Sequence, residues 1–113
     1  MAKTIRELQQ LHGEWADRNF PTAPSWQPLL GMVEEVGEIS HAYLKRAQEI
    51  RYTSEEADLK LRDGCADLFI FLLDFTRREG WDLQEIIEET LTEVLQRDWV
   101  NRPLDAHRAG EIP

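Results

Sequence analysis

The chain has 113 residues, 31% of them charged, with a formal net charge of -9. That length makes one domain around a single core, and the acidic balance excludes a general nucleic-acid binder, because no basic stripe is present to displace counterions from phosphates. A small phosphate-bearing ligand carried in with metal ions is still allowed. No stretch approaches 18 apolar residues, and Met1-Ala2-Lys3-Thr4-Ile5-Arg6 has no apolar signal core, so a soluble, cytoplasmic protein with no membrane partner is expected. The single Cys65 cannot form an internal disulfide, which fits a reducing compartment, and its expected role is that of a small packing residue.

Thr4 and Glu7 stand at capping-box spacing, and Ile5, Leu8, Leu11, His12 and Trp15 recur every three or four residues. This predicts a first helix from Thr4 to about Asn19. His12, on the apolar edge, reads either as a satisfied core histidine or, with Trp15 and Phe20, as a wall for a flat base. Phe20-Pro21-Thr22-Ala23-Pro24 is a connector, since two prolines remove donors and push the preceding residues out of helical geometry. Ser25 is the natural N-cap of a second helix that runs to about Ile50.

On that second helix Glu34, Glu35 and Glu38 share one side. A wheel drawn from Leu29 gathers Leu29, Met32, Val33, Val36, Ile39, Ser40 and Tyr43 into an apolar stripe roughly opposite them. Gly31 and Ala42 lie between the glutamates on the wheel, where they would admit a neighbouring helix or a bound phosphate. Lys45 reads as a phosphate contact or as a solvated charge.

Thr53 and Glu56 repeat the capping-box spacing and open a third helix to about Glu79, with Gly80 as the stop. It carries Asp63 and Asp67 on one side and then Leu68-Phe69-Ile70-Phe71-Leu72-Leu73, apolar on every face and expected to be buried all round. No turn signal bounds that run, and Leu59, Leu61, Cys65, Leu68 and Leu72 continue at helical spacing, so it is not a strand. Asp82 and Glu85 cap a fourth helix whose expected buried face is Leu83, Ile86, Ile87, Leu91, Val94 and Leu95, limited by Pro103. Residues 1–103 thus form the domain, and 104–113 a mobile tail.

The expected architecture is an all-α bundle. A helix that is apolar all round is hard to bury in so small a bundle, which predicts a second copy of the chain, a homodimer at least. If the second and third helices lie side by side, Glu34, Glu35, Glu38, Asp63 and Asp67 converge. Like charges in a low-dielectric site disfavour each other's ionisation, and a hard divalent cation, above all magnesium, relieves this most simply. A solvated acidic face is the other reading of the same spacing.

Leu30-(x)3-Glu34-Glu35-Val36-Gly37-Glu38-Ile39, followed by Asp63-(x)3-Asp67-Leu68 and an apolar helix, resembles the MazG-like all-α nucleoside triphosphate pyrophosphatases. That superfamily also holds dimeric dUTPases, dCTP pyrophosphatases and phosphoribosyl-ATP pyrophosphatases. The likeness runs from about Ile5 to Arg102. It implies a four-helix MazG-like bundle completed by homo-oligomerisation, as a homodimer or homotetramer. It also implies a house-cleaning hydrolase that uses Mg2+, with Mn2+ as a substitute, to cut a deoxynucleoside or non-standard nucleoside triphosphate to the monophosphate and pyrophosphate.

By the same resemblance Glu35, Glu38 and Asp67 are metal ligands, and Glu34 works beside Glu35 and Glu38 in catalysis. The family's remaining glutamate falls on Gly64, which has no side chain to offer, and Asp63, one position earlier, substitutes for it. Arg97, with Arg102, matches the closing basic residue of the last helix, whereas Leu91, Thr92 and Leu95 occupy places where the family has phosphate-binding Lys and Asn. Leu11-His12-Gly13-Glu14-Trp15 with Phe20 is similar to the base-holding first helix of dCTP-type members, and Phe71 falls where these place another aromatic. The departures at Gly64 and in the last helix also define a rival, a catalytically degenerate nucleotide-binding or interaction module of the same fold.

Overall fold

The computed structural model describes residues 2–107 as four helices, α1 (Ile5–Asn19), α2 (Trp26–Gln48), α3 (Ser54–Arg78) and α4 (Leu83–Val94). Among the described residues there is no strand, only an isolated bridge between Arg97 and His107. The helix starts follow from local chemistry. The Thr4 hydroxyl accepts from the Glu7 amide at 3.1 Å while the Glu7 carboxylate accepts from the Thr4 amide at 3.0 Å, and Thr53 and Glu56 repeat the exchange at the start of α3. Asp82 accepts from the amides of Gln84 and Glu85 at the start of α4. Each such cap contributes about 1 kcal/mol.

Two boundaries differ from the sequence reading. Ser25 precedes α2 but makes no side-chain cap, having helical backbone angles already; its hydroxyl donates instead to Glu79 at 2.6 Å. Helix α4 stops at Val94, well before Pro103, and the chain continues in turns. There the Asp98 amide donates to Ala106 O and the Ala106 amide to Arg102 O, so the start of the expected tail folds back on the domain, with Ala106 buried. The rest of that tail, residues 108–113, lies outside the described residues.

Helix α3 is the hub. Its longest contact is with α2, and α1 and α4 pack on it elsewhere and on each other. The α2–α3 pair is antiparallel, pinned at one end by Ser25 with Glu79 and at the other by Arg46 with Asp58, N to O 2.5 Å. Between these ends the register places Gly31 under the Phe71 ring and Gly64 under Ile39. Helix α1 is held by the buried Gln9, whose amide nitrogen donates to the Thr76 hydroxyl at 2.9 Å and to Trp81 O at 3.1 Å. An ion pair between Arg6 and Asp82 joins the starts of α1 and α4.

The core inverts the expected pattern. Its buried apolar residues are mostly small: Ala16, Ala42, Ala57 and Ala106, with Leu73 and Leu83, and among the described residues no large side chain is fully buried. On α2 the apolar stripe points outward, Val33 being 65% and Val36 51% exposed, whereas Glu35 is only 7% exposed. The run Leu68 to Leu73 is buried at Leu73 alone and half-buried or exposed elsewhere, so it is not covered all round within one chain. On α1 the interior positions are Gln9, Gly13 and Ala16, with Leu8, Leu11 and Trp15 exposed; on α4 Leu83 is buried but Ile86, Leu91, Val94 and Leu95 are exposed. The cause lies in the α2–α3 contact, where Gly31, Ala42 and Gly64 let the backbones approach and so turn the acid-bearing side of α2 inward. The radius of gyration, 18.2 Å, exceeds the roughly 13 Å of a compact domain of this length.

Candidate functional site

Two clefts lie along the α2–α3 seam and share two residues. The first, about 570 Å³, is lined by Glu34, Glu35 and Glu38 of α2 and by Lys60, Asp63 and Asp67 of α3, with His41 and Tyr52 also in its lining. The second, about 490 Å³, is lined by His12, Trp15, Phe20, Gln27, Phe71, Asp74 and Arg78, among others. Glu35 and Asp67 line both.

The α2 acids form the tightest part. One carboxylate oxygen of each of Glu34, Glu35 and Glu38 lies within 4.8 Å of the others. Asp63 and Asp67 stand on the α3 wall of the same cleft but outside that group. Glu35 differs from its neighbours. Its Oε2 is enclosed and has no hydrogen-bond partner, and burial pushes its carboxyl above the ordinary range, helped by the negative charges of Glu38, Asp67 and Glu34. A buried carboxylate oxygen without a donor costs free energy unless a cation or a proton fills the gap. The donor set is all oxygen and anionic, the chemistry that suits magnesium or manganese, so these three glutamates can hold a metal ion.

The neighbouring pocket is aromatic. The His12 and Trp15 rings lie 5.4 Å apart and Trp15 meets Phe20 edge to face at 5.9 Å, and the Phe71 ring, which packs over Gly31, also lines the pocket. His12 is half-buried with an unpartnered Nδ1. Burial lowers its pKa against the opposing pull of Asp74, so the ring is mainly neutral at pH 7. A flat, partly apolar slot beside an acid cluster is the form a nucleotide's base and phosphates would require.

Of the residues singled out from the sequence, Glu34, Glu35, Glu38, Asp63, Asp67, His12, Trp15, Phe20 and Phe71 all line one cleft or the other. Lys45 and Arg97 line neither. The Lys45 ammonium donates to Gln48 at 3.1 Å, one turn along its own helix, and Arg97 lies beyond α4, bridged to His107. The cation lining the acidic cleft is Lys60, whose ammonium sits 4.9 Å above the Tyr52 ring. Lys60, Asp74 and Arg78 were missed, although the signal was present: Lys60, Asp63, Asp67, Phe71, Asp74 and Arg78 recur at three and four residues and so share one face of α3.

Gly64 is buried, and a Cβ built there would lie 2.5 Å from Ile39 Cγ1. No side-chain ligand fits at that position without driving α2 and α3 apart. No protein-family model, curated protein or solved structure matches this chain.

Proposed function

We propose that this protein is a magnesium-dependent nucleoside triphosphate pyrophosphohydrolase of the MazG-like kind, releasing a nucleoside monophosphate and pyrophosphate. The observation that carries the reading is Glu35, a buried carboxylate with an unpartnered oxygen on the seam between an acidic cleft and an aromatic slot. Glu34, Glu35 and Glu38 hold magnesium, or manganese in its place, with Asp63 and Asp67 across the cleft. A bound ion of this type supplies neutralisation of the phosphates and acidification of a water. The exposed Glu34 takes a proton from the attacking water, and Lys60 offsets charge on the departing pyrophosphate. His12, Trp15, Phe20 and Phe71 hold the base, from a deoxynucleotide or non-standard nucleotide.

A second copy of the chain completes the core, as a homodimer or homotetramer. The support is the outward stripe of α2, the half-covered apolar run of α3 and, among the described residues, the lack of a fully buried large side chain.

Pyrophosphate release from a panel of standard, deoxy and modified triphosphates, with and without magnesium, tests the reading. The expected result is metal-dependent release that Glu38→Ala abolishes while helicity is kept. Gly64, which cannot carry a ligand, favours the second reading, a nucleotide-binding module without chemistry; binding of triphosphate with no release across the whole panel would establish it.

A further inference from the structure

We propose that Asp74 selects the base, favouring nucleotides whose base carries an exocyclic amino group over uracil and thymine. The inference rests on the pyrophosphohydrolase reading and gives its site a substrate class.

Asp67, Phe71, Asp74 and Arg78 follow one another on a single face of α3, and all four line the aromatic pocket. Seven residues of helix separate Asp67 from Asp74, roughly 10 Å, which is about the reach of a nucleoside from its phosphate to the far edge of its base. A nucleotide with its phosphates at the acid cluster and its base on Phe71 brings that far edge to Asp74.

The carboxylate is held in place before any ligand arrives. Both guanidinium contacts fall on Oδ1, from Arg78 Nε at 3.0 Å and Arg77 Nη2 at 3.7 Å. Arg78 is itself anchored, its Nη1 donating to Ala23 O at 2.8 Å and its Nη2 to Phe20 O at 3.3 Å. The same guanidinium therefore fixes the connector that carries Phe20 and the acid at the end of the slot. Oδ2 takes neither contact and is not enclosed, which leaves a free acceptor on a residue that lines the pocket.

An ionised carboxylate accepts from N–H and repels carbonyl oxygen. Cytosine, adenine and guanine each present an amino group, whereas uracil and thymine flank a single N–H with two carbonyl oxygens. Three of the five Arg78 N–H donors are engaged, with Asp74 Oδ1, Ala23 O and Phe20 O, and its side chain is only 9% exposed, so little of its charge is offered to those oxygens. The other polar side chains of the slot include His12, with its unpartnered Nδ1, and the exposed Gln27, neither of them a fixed cation.

Initial rates with dCTP, dATP, dGTP, dTTP and dUTP in magnesium give kcat/KM for each. Triphosphates of the amino bases are expected to exceed dTTP and dUTP by about tenfold or more, the scale of one hydrogen bond to a charged group. In Asp74→Asn, whose amide both donates and accepts, that ratio should collapse or invert. A merely structural Asp74 would lower every substrate together and leave the ratio unchanged, which would overturn the proposal, as would a wild-type preference for dTTP or dUTP. If Asp74→Asn does not fold, the wild type answers through tryptophan quenching by dCMP and dAMP against dTMP and dUMP in magnesium. Binding about tenfold tighter for the first pair is expected, and equal affinities overturn the assignment. Failure to cleave any triphosphate removes the pyrophosphohydrolase reading, and the monophosphate preference then still decides the role of Asp74.

Discussion

Glu35→Gln is the most informative perturbation, because it removes one charge from a crowded cluster and keeps the side-chain volume. Two unit charges 4.8 Å apart, the upper separation within the glutamate group, repel by about 1 kcal/mol in bulk water and roughly 3.5 kcal/mol at an effective dielectric of 20. Glu34 and Glu38 are exposed, so the lower figure governs, and loss of both pairs should stabilise the metal-free protein by about 1–2 kcal/mol. The new amide can donate to the carboxylates of Glu38 or Asp67, so it is not left unpaired. A gain of that size raises the melting temperature by roughly 5–10 °C.

Magnesium should reverse the order. At about a hundred times its Kd it stabilises the wild type by about 2.7 kcal/mol, and the variant, lacking the buried ligand, should respond weakly. The pH dependence has a definite sign. The folded carboxyl of Glu35 lies above the ordinary glutamate value of 4.5, so between that value and the raised one the folded state binds more protons than the unfolded state. Metal-free stability therefore falls as pH rises through that window and is restored as pH drops through it, and Glu35→Gln should lack this slope. Melting curves by circular dichroism, at fixed protein concentration with and without magnesium, measure all of this. A variant that melts below the wild type without metal, or that gains as much from magnesium, would refute the reasoning.

Gly64→Ala should destabilise by about 1–3 kcal/mol, because its Cβ meets Ile39 at 2.5 Å. Gly37→Ala, with nothing within 4 Å of its Cβ, should instead gain about 0.5–1 kcal/mol from helix propensity; urea titrations of the pair separate close packing from backbone entropy. Replacing Gln9 with Leu strips the donor from Thr76 and Trp81 O and should cost roughly 1–3 kcal/mol, read as a lower urea midpoint with an unchanged slope. Light scattering should give the wild type a mass of two or four times 13.2 kDa, and Val33→Glu with Val36→Glu should shift it toward the monomer. A wild type that is monomeric at micromolar concentration would remove the proposed second copy.

Much of the site was readable as lists of residues on helix faces, since Glu34, Glu35, Glu38, Asp63 and Asp67 follow from 3.6-residue spacing alone. What the wheel misjudged was which face is inside. It placed Val33 and Val36 opposite the acids and so suggested an apolar interior, yet Val33 is exposed and Glu35 buried. Lys45 and Arg97 stand out in the sequence by charge and position in the chain, and neither spacing nor composition says which cation a fold brings to a cleft. Lys60 is the one beside the acids because it shares their face of α3.

The sequence by itself determined the four helices, their capped starts at Thr4, Thr53 and Asp82 and the stop at Gly80, because caps and helical periodicity are interactions among residues within about one turn of each other. Only the tertiary structure decided that the glutamate side of α2 turns inward and that Glu35 sits between two clefts. That outcome depends on Gly31 meeting Phe71 and Gly64 meeting Ile39, contacts between residues far apart in sequence, whose close approach no local pattern encodes.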